Sequence, residues 1–73
     1  MAQRRVELQV ARIRKGLGVG EAAQLVEVSA NAWRRWENGT RTPTLDKAIR
    51  VSEVLEVPVT TLFSDSESHG AVS

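Results

Sequence analysis

Between Ser29 and Gly39 the chain reads Ser-Ala-Asn-Ala-Trp-Arg-Arg-Trp-Glu-Asn-Gly, and this segment restricts the fold more than any other. It carries a helix start, a helix stop and two unlike faces. Ser29 is a favourable N-cap, because its hydroxyl can accept from an unpaired N–H of the first turn. Gly39 suits the position just past the end, where a left-handed conformation satisfies the last carbonyls. Ala32, Trp33 and Trp36 fall on one side of such a helix, while Asn31, Arg34, Arg35 and Asn38 project elsewhere. The tryptophans, three residues apart on an otherwise apolar face, read as core and core edge rather than as a base-stacking pair.

Asn31 and Arg35 are four residues apart and share a helix face. Amide and guanidinium groups pair bidentately with adenine and guanine edges, and a DNA major groove admits a helix. The segment therefore has the chemistry of a base-reading helix, set beside the plainer possibility of a solvated basic surface.

The flanking residues sharpen this. Lys15-Gly16-Leu17 precedes Glu21, Ala22, Ala23, Val26 and Val28-Ser29; Thr42-Pro43-Thr44-Leu45 leads to Ile49, Ser52, Leu55, Val57 and Leu62-Phe63. From about Val6 to Phe63 this order resembles the lambda-repressor-like (XRE-type) helix-turn-helix family of bacterial and phage DNA-binding regulators. The most specific part is Trp36-Glu37-Asn38-Gly39 with Pro43, at the family's spacing from Lys15-Gly16-Leu17. The resemblance implies a structural ion pair between Arg12 and Glu37. It also implies base reading by Asn31, Arg35 and Arg34, with Ala30 and Ala32 offering only methyl contacts. Phosphate partners are expected at Val19, where the second helix starts, and at Asn38, Thr40 and Arg41 beyond the third. Three positions depart from the family. Gly18-Val19 stand where members commonly have Thr-Gln, and Glu27 replaces the glycine of the turn. A positive φ at Glu27 carries a penalty on the order of 1 kcal/mol.

Composition agrees. A chain of 73 residues is read as one small domain, able to bury only about 60% of its unfolded surface, with no room for a ligand-sensing domain. It has no cysteine, hence no disulfide and no thiolate metal site, which suits a reducing cytoplasm. No apolar run is long enough for a bilayer, and Met-Ala-Gln-Arg-Arg reads as the approach to an amphipathic helix, not as a signal sequence. The Asn38-Gly39-Thr40 sequon then carries no weight. Net charge is +1, but residues 1–50 hold every Lys and Arg for a local +5, and residues 51–73 sum to −4. Such a split orients a domain in a phosphate field.

The predicted architecture is all-α, a compact bundle of five short helices. Val6, Val10, Ile13 and Leu17 recur at helical spacing and predict a first helix from roughly Ala2 to Lys15, stopped by Gly16. The second, about Gly20 to Val26, buries Ala23 and Val26, and the third is the Ser29–Asn38 segment. Thr44 caps a fourth with a buried stripe of Leu45, Ala48, Ile49, Ser52 and Leu55. Pro58 opens a fifth, single-turn helix ending near Phe63. The domain is thus placed at 1–63, and 64–73 is read as a disordered polar tail.

Catalysis finds no support. His69, the only histidine, lies in that tail without a partner, and Gly16, Gly18 and Gly20 match neither phosphate-loop spacing. No metal or cofactor is expected. Two functions stay open: a sequence-specific regulator acting on double-stranded DNA as a homodimer, with Val54, Val57, Pro58 and Val59 as candidate contacts, or an antitoxin-type module that masks a toxin, with DNA binding secondary.

Overall fold

The computed structural model describes residues 4–63, so the expectations for residues 64–73, His69 included, lie outside the described residues. Five helices follow in order: α1 (Val6–Arg14), α2 (Val19–Leu25), α3 (Ala30–Asn38), α4 (Leu45–Leu55) and α5 (Val59–Leu62). Among the described residues there is no strand, and no helix is long and apolar enough to cross a membrane.

α1 starts later than its periodicity predicts. Arg4 and Arg5 are not helical, because the Arg5 N–H donates to the Glu37 carbonyl at 2.8 Å and holds the backbone outside the helix. The buried face also differs from the expected one. Leu8 and Ala11 enter the core, whereas Val6 and Ile13 are exposed. The rotation is set by Arg12, which sits one residue from Ala11 and must face Glu37. Gly16, at φ +74°, reverses the chain, and the Leu17 N–H then donates to the Arg12 carbonyl at 3.2 Å.

α2 packs on α3 through Ala22 and Ala23, both fully buried. Two adjacent small side chains let the helices approach closely, and Val26 closes the contact. The turn between them is tight. Glu27 takes φ +59°, and the Val28 N–H reaches back to the Ala23 carbonyl at 2.9 Å. The expected left-handed residue is thus present without glycine. Across this turn Arg50 lies 3.7 Å from Glu27, and the Lys47 ammonium donates to the Val26 carbonyl at 3.0 Å. A cation at those last carbonyls complements the helix dipole.

α4 carries a second correction. Thr44 caps it as expected, its hydroxyl accepting from Lys47 N–H at 3.4 Å. Yet Ala48, Val51 and Leu55 form the buried stripe, while Leu45 and Ile49 are exposed. The sequence contains two overlapping stripes, and the one including Val51 meets Leu62 and Phe63 in the core. Ser52 is instead occupied with the α4–α5 turn, its hydroxyl donating to the Val57 carbonyl at 2.7 Å. Glu56 forms that turn at φ +57°, and Pro58 N-caps α5. Val54, Val57 and Val59 pack against the core, so those valines are not the unused surface that the sequence suggests; Pro58 is exposed.

Candidate nucleic-acid interface

α3 is held from behind by a polar cluster set in apolar surroundings. Ser29 Oγ accepts from Ala32 N–H at 3.0 Å and starts the helix; Gly39 ends it at φ +81°. Trp33 is fully buried and Trp36 nearly so, their ring centroids 5.7 Å apart at 51°. Glu37, on the same inner side, is 8% exposed. Its Oε2 accepts from Trp33 Nε1 and from Arg12 Nε, both at 2.6 Å, and Arg12 Nη2 donates to Oε1 at 3.4 Å. Arg12 Nη1 also donates to the Leu17 carbonyl at 2.9 Å. One carboxylate therefore ties α1 to α3, and its arginine secures the α1–α2 turn. Among the described residues no buried side-chain nitrogen or oxygen lacks a partner, as a well-satisfied interior requires.

The opposite face of α3 is polar and open. Asn31, Arg34, Arg35 and Asn38 are exposed, and Ala30 and Ala32 are half-buried beside them. Arg34 Nη1 donates to Asn31 Oδ1 at 3.3 Å, which steadies both side chains over the first turn. The side chains of Arg35 and Arg41 make no hydrogen bond or ion pair among the described residues. They border a shallow depression with Ala32, Trp36, Pro43 and Lys47. Arg35, Arg41 and Lys47 thus border one depression, with the carboxylate of Glu37 turned inward toward Arg12 and Trp33.

Thr40 is exposed but its donors are in use. Its N–H and its hydroxyl both reach the Arg35 carbonyl, at 3.0 and 3.3 Å. Val19 is half-buried and packs against the core, leaving backbone rather than side chain at the start of α2. There the Gly18 N–H donates to Glu21 Oε1 at 2.8 Å. A carboxylate stabilises that end of the helix, and it stands where an incoming phosphate is expected.

Sequence reasoning missed three contributors. Arg5, buried ahead of α1, donates to the Trp36 and Arg41 carbonyls and to Thr42 Oγ1. Lys47 bridges α4 to the turn before α3, and Glu21 charges the start of α2. Only Glu21 had a local signal, a carboxylate three residues after a potential cap.

Two helices joined by a four-residue turn, the second presenting an exposed amide and arginine face, define a helix-turn-helix domain. A helix-turn-helix domain family model matches residues 5–62. The chain belongs to that family, consistent with its resemblance to XRE-type DNA-binding regulators; such domains are typically non-enzymatic. A search of curated proteins finds none that matches.

Proposed function

We propose that this domain is a sequence-specific DNA-binding regulator, repressor-like, that works in the cytoplasm as a homodimer on two half-sites and without a cofactor. The observation that supports this most is the two-sidedness of α3: Trp33, Trp36 and Glu37 immobilise one side, and Asn31, Arg34 and Arg35 stand exposed on the other. A rigidly held helix with that exposed chemistry suits a major groove, its N-terminal half toward the bases. Asn31 suits adenine, and Arg35 suits guanine O6 and N7; Arg34 steadies Asn31 and lies close enough to share its base pair. Ala30 and Ala32 contribute methyl contacts, as to a thymine methyl.

Phosphates position the domain and bases specify the site. Arg41 is the principal phosphate partner, with Asn38 beside it. Thr40 contributes only if its hydroxyl leaves the Arg35 carbonyl. The Val19 N–H adds a backbone donor whose pull is reduced by the Glu21 carboxylate. That last feature favours the second reading, a toxin-masking module with weak and unspecific DNA affinity.

Enrichment of duplexes from a random pool, followed by gel shift against unrelated competitor DNA, separates the two. A regulator enriches a common motif and holds it against competitor. A pool that stays random sinks the proposal and leaves the interaction module.

A further inference from the structure

Arg5 stands just ahead of α1, yet it is 5% exposed and its contacts lie far along the chain. Its backbone N–H holds the Glu37 carbonyl at 2.8 Å. Nη1 donates to the Trp36 carbonyl and, at 2.8 Å, to that of Arg41; Nη2 donates to Thr42 Oγ1 at 2.8 Å. The guanidinium also lies 5.4 Å from the centre of the Phe63 ring. The hydrogen bonds converge on the last turn of α3 and the loop that follows it, while the ring contact is with the end of α5. A planar fork spreads five donors over three nitrogens in fixed directions and so spans acceptors several ångströms apart, whereas an ammonium presents three rotatable donors from a single nitrogen.

Arg41 is gripped from both sides. Its carbonyl takes the Arg5 fork, and its N–H donates to the Arg35 carbonyl at 3.2 Å. Its backbone is therefore fixed while its side chain projects outward. We propose that Arg5 is a positioning residue for DNA binding: it sets the direction in which Arg41 leaves the loop, and touches no DNA itself. This rests on the reading of α3 and Arg41 as the DNA-facing surface.

The test is a cycle of four proteins: wild type, Arg5→Lys, Arg41→Ala and the double variant. Each is titrated with one enriched duplex at a temperature where circular dichroism shows all four folded. Lysine keeps the charge and the stem but offers one nitrogen in place of the fork. Arg5→Lys alone is expected to weaken binding roughly tenfold and to reduce the salt slope by about one phosphate contact. In the Arg41→Ala background it should cost nothing further; additive losses overturn the proposal.

Amide exchange on the DNA-free protein gives a second readout. The Thr40 and Arg41 N–H groups should exchange faster in Arg5→Lys, while those of Ala22 and Val26 in the α2 region keep their protection. A uniform loss of protection assigns Arg5 to fold stability alone and overturns the proposal. If the wild-type domain binds no duplex, the DNA reading is what fails, and the exchange pattern alone decides whether Arg5 holds this loop.

Discussion

The two sides of α3 are built on opposite rules. On the inner side every polar atom is engaged: Glu37 accepts from Arg12 and from Trp33, and the tryptophans are packed. On the outer side of the same nine-residue helix, the Arg35 side chain makes no hydrogen bond or ion pair among the described residues, and the Asn31 side chain accepts one long contact. Buried polar groups are costly unless matched, so the inner side tolerates little change. Exposed side chains contribute little to folding and remain available to a ligand. If the outer side reads DNA as proposed, holding and reading are separable functions of one helix, and substitutions should sort accordingly.

The largest effect is expected on the inner side. The Arg12 and Glu37 side chains are only 11% and 10% exposed. Removing one partner of such a pair costs about 3–5 kcal/mol when burial is complete, because it leaves an uncompensated charge. Arg12→Ala should lower the melting temperature far more than Arg14→Ala, whose side chain is exposed. Equal shifts would mean that the cluster does not hold α3.

The outer side should show the reverse. Asn31→Ala and Arg35→Ala should each leave the melting temperature within a degree or two. Each should weaken binding to the selected duplex by roughly 1–3 kcal/mol and relax preference at one base pair per half-site. Arg41→Ala should weaken binding to all sequences alike and flatten its salt dependence. An altered sequence preference in Arg41→Ala, without one in Arg35→Ala, would exchange their roles.

The inner side was also the more legible in the sequence. Ser29, Gly39 and the paired tryptophans act within one helix, so local spacing exposes them. The left-handed turn at Glu27 was legible only through the family resemblance, which places a glycine there. The faces of α1 and α4 were not. Each helix carries two overlapping apolar stripes, and a period near 3.6 cannot choose between them. The choice falls to distant partners, Glu37 for α1 and the pair Leu62 and Phe63 for α4. Arg5 and Lys47 were hidden entirely, because their acceptors lie 21 to 37 residues away and have no local pattern. Of the outer side, residue types were readable, but not that Thr40 already uses its donors; Glu21 at the start of α2 had a local signal, its spacing of three residues from Gly18, that went unused.

A smaller effect belongs to the turn that sets α2 against α3. Glu27 is held at φ +59°, a conformation that costs a residue with a Cβ roughly 1 kcal/mol. Its pair with Arg50 is too exposed to offset much of that. Glu27→Gly removes the strain but also frees the unfolded chain, so the net gain should be about 0.5 kcal/mol. Thermal denaturation should show a slightly higher midpoint, with the preferred DNA sequence unchanged. A changed preference would show that the turn participates in reading and that holding and reading are not separable there.

The smallest expected effect lies far from α3, where Lys15 pairs with Glu56 across the end of α1 and the α4–α5 turn. The Lys15 hydrogen bond first, and its charge second, hold the Glu56 carboxyl below its ordinary value of 4.5. A carboxyl lowered in the folded state contributes stability above that ordinary value and loses it as pH falls through the lowered one. Glu56 is exposed, so the contribution is slight and sensitive to salt. The difference in melting temperature between wild type and Lys15→Gln should be small at neutral pH and low ionic strength. It should shrink with added salt, and again below pH 4.5 as Glu56 takes up its proton. A difference that survives both treatments would locate the role of Lys15 in the packing of its stem against Leu55 and Val57, which line the same groove. In that case this contact would act through burial of the Lys15 stem and not through its exposed charge, unlike the outer side of α3.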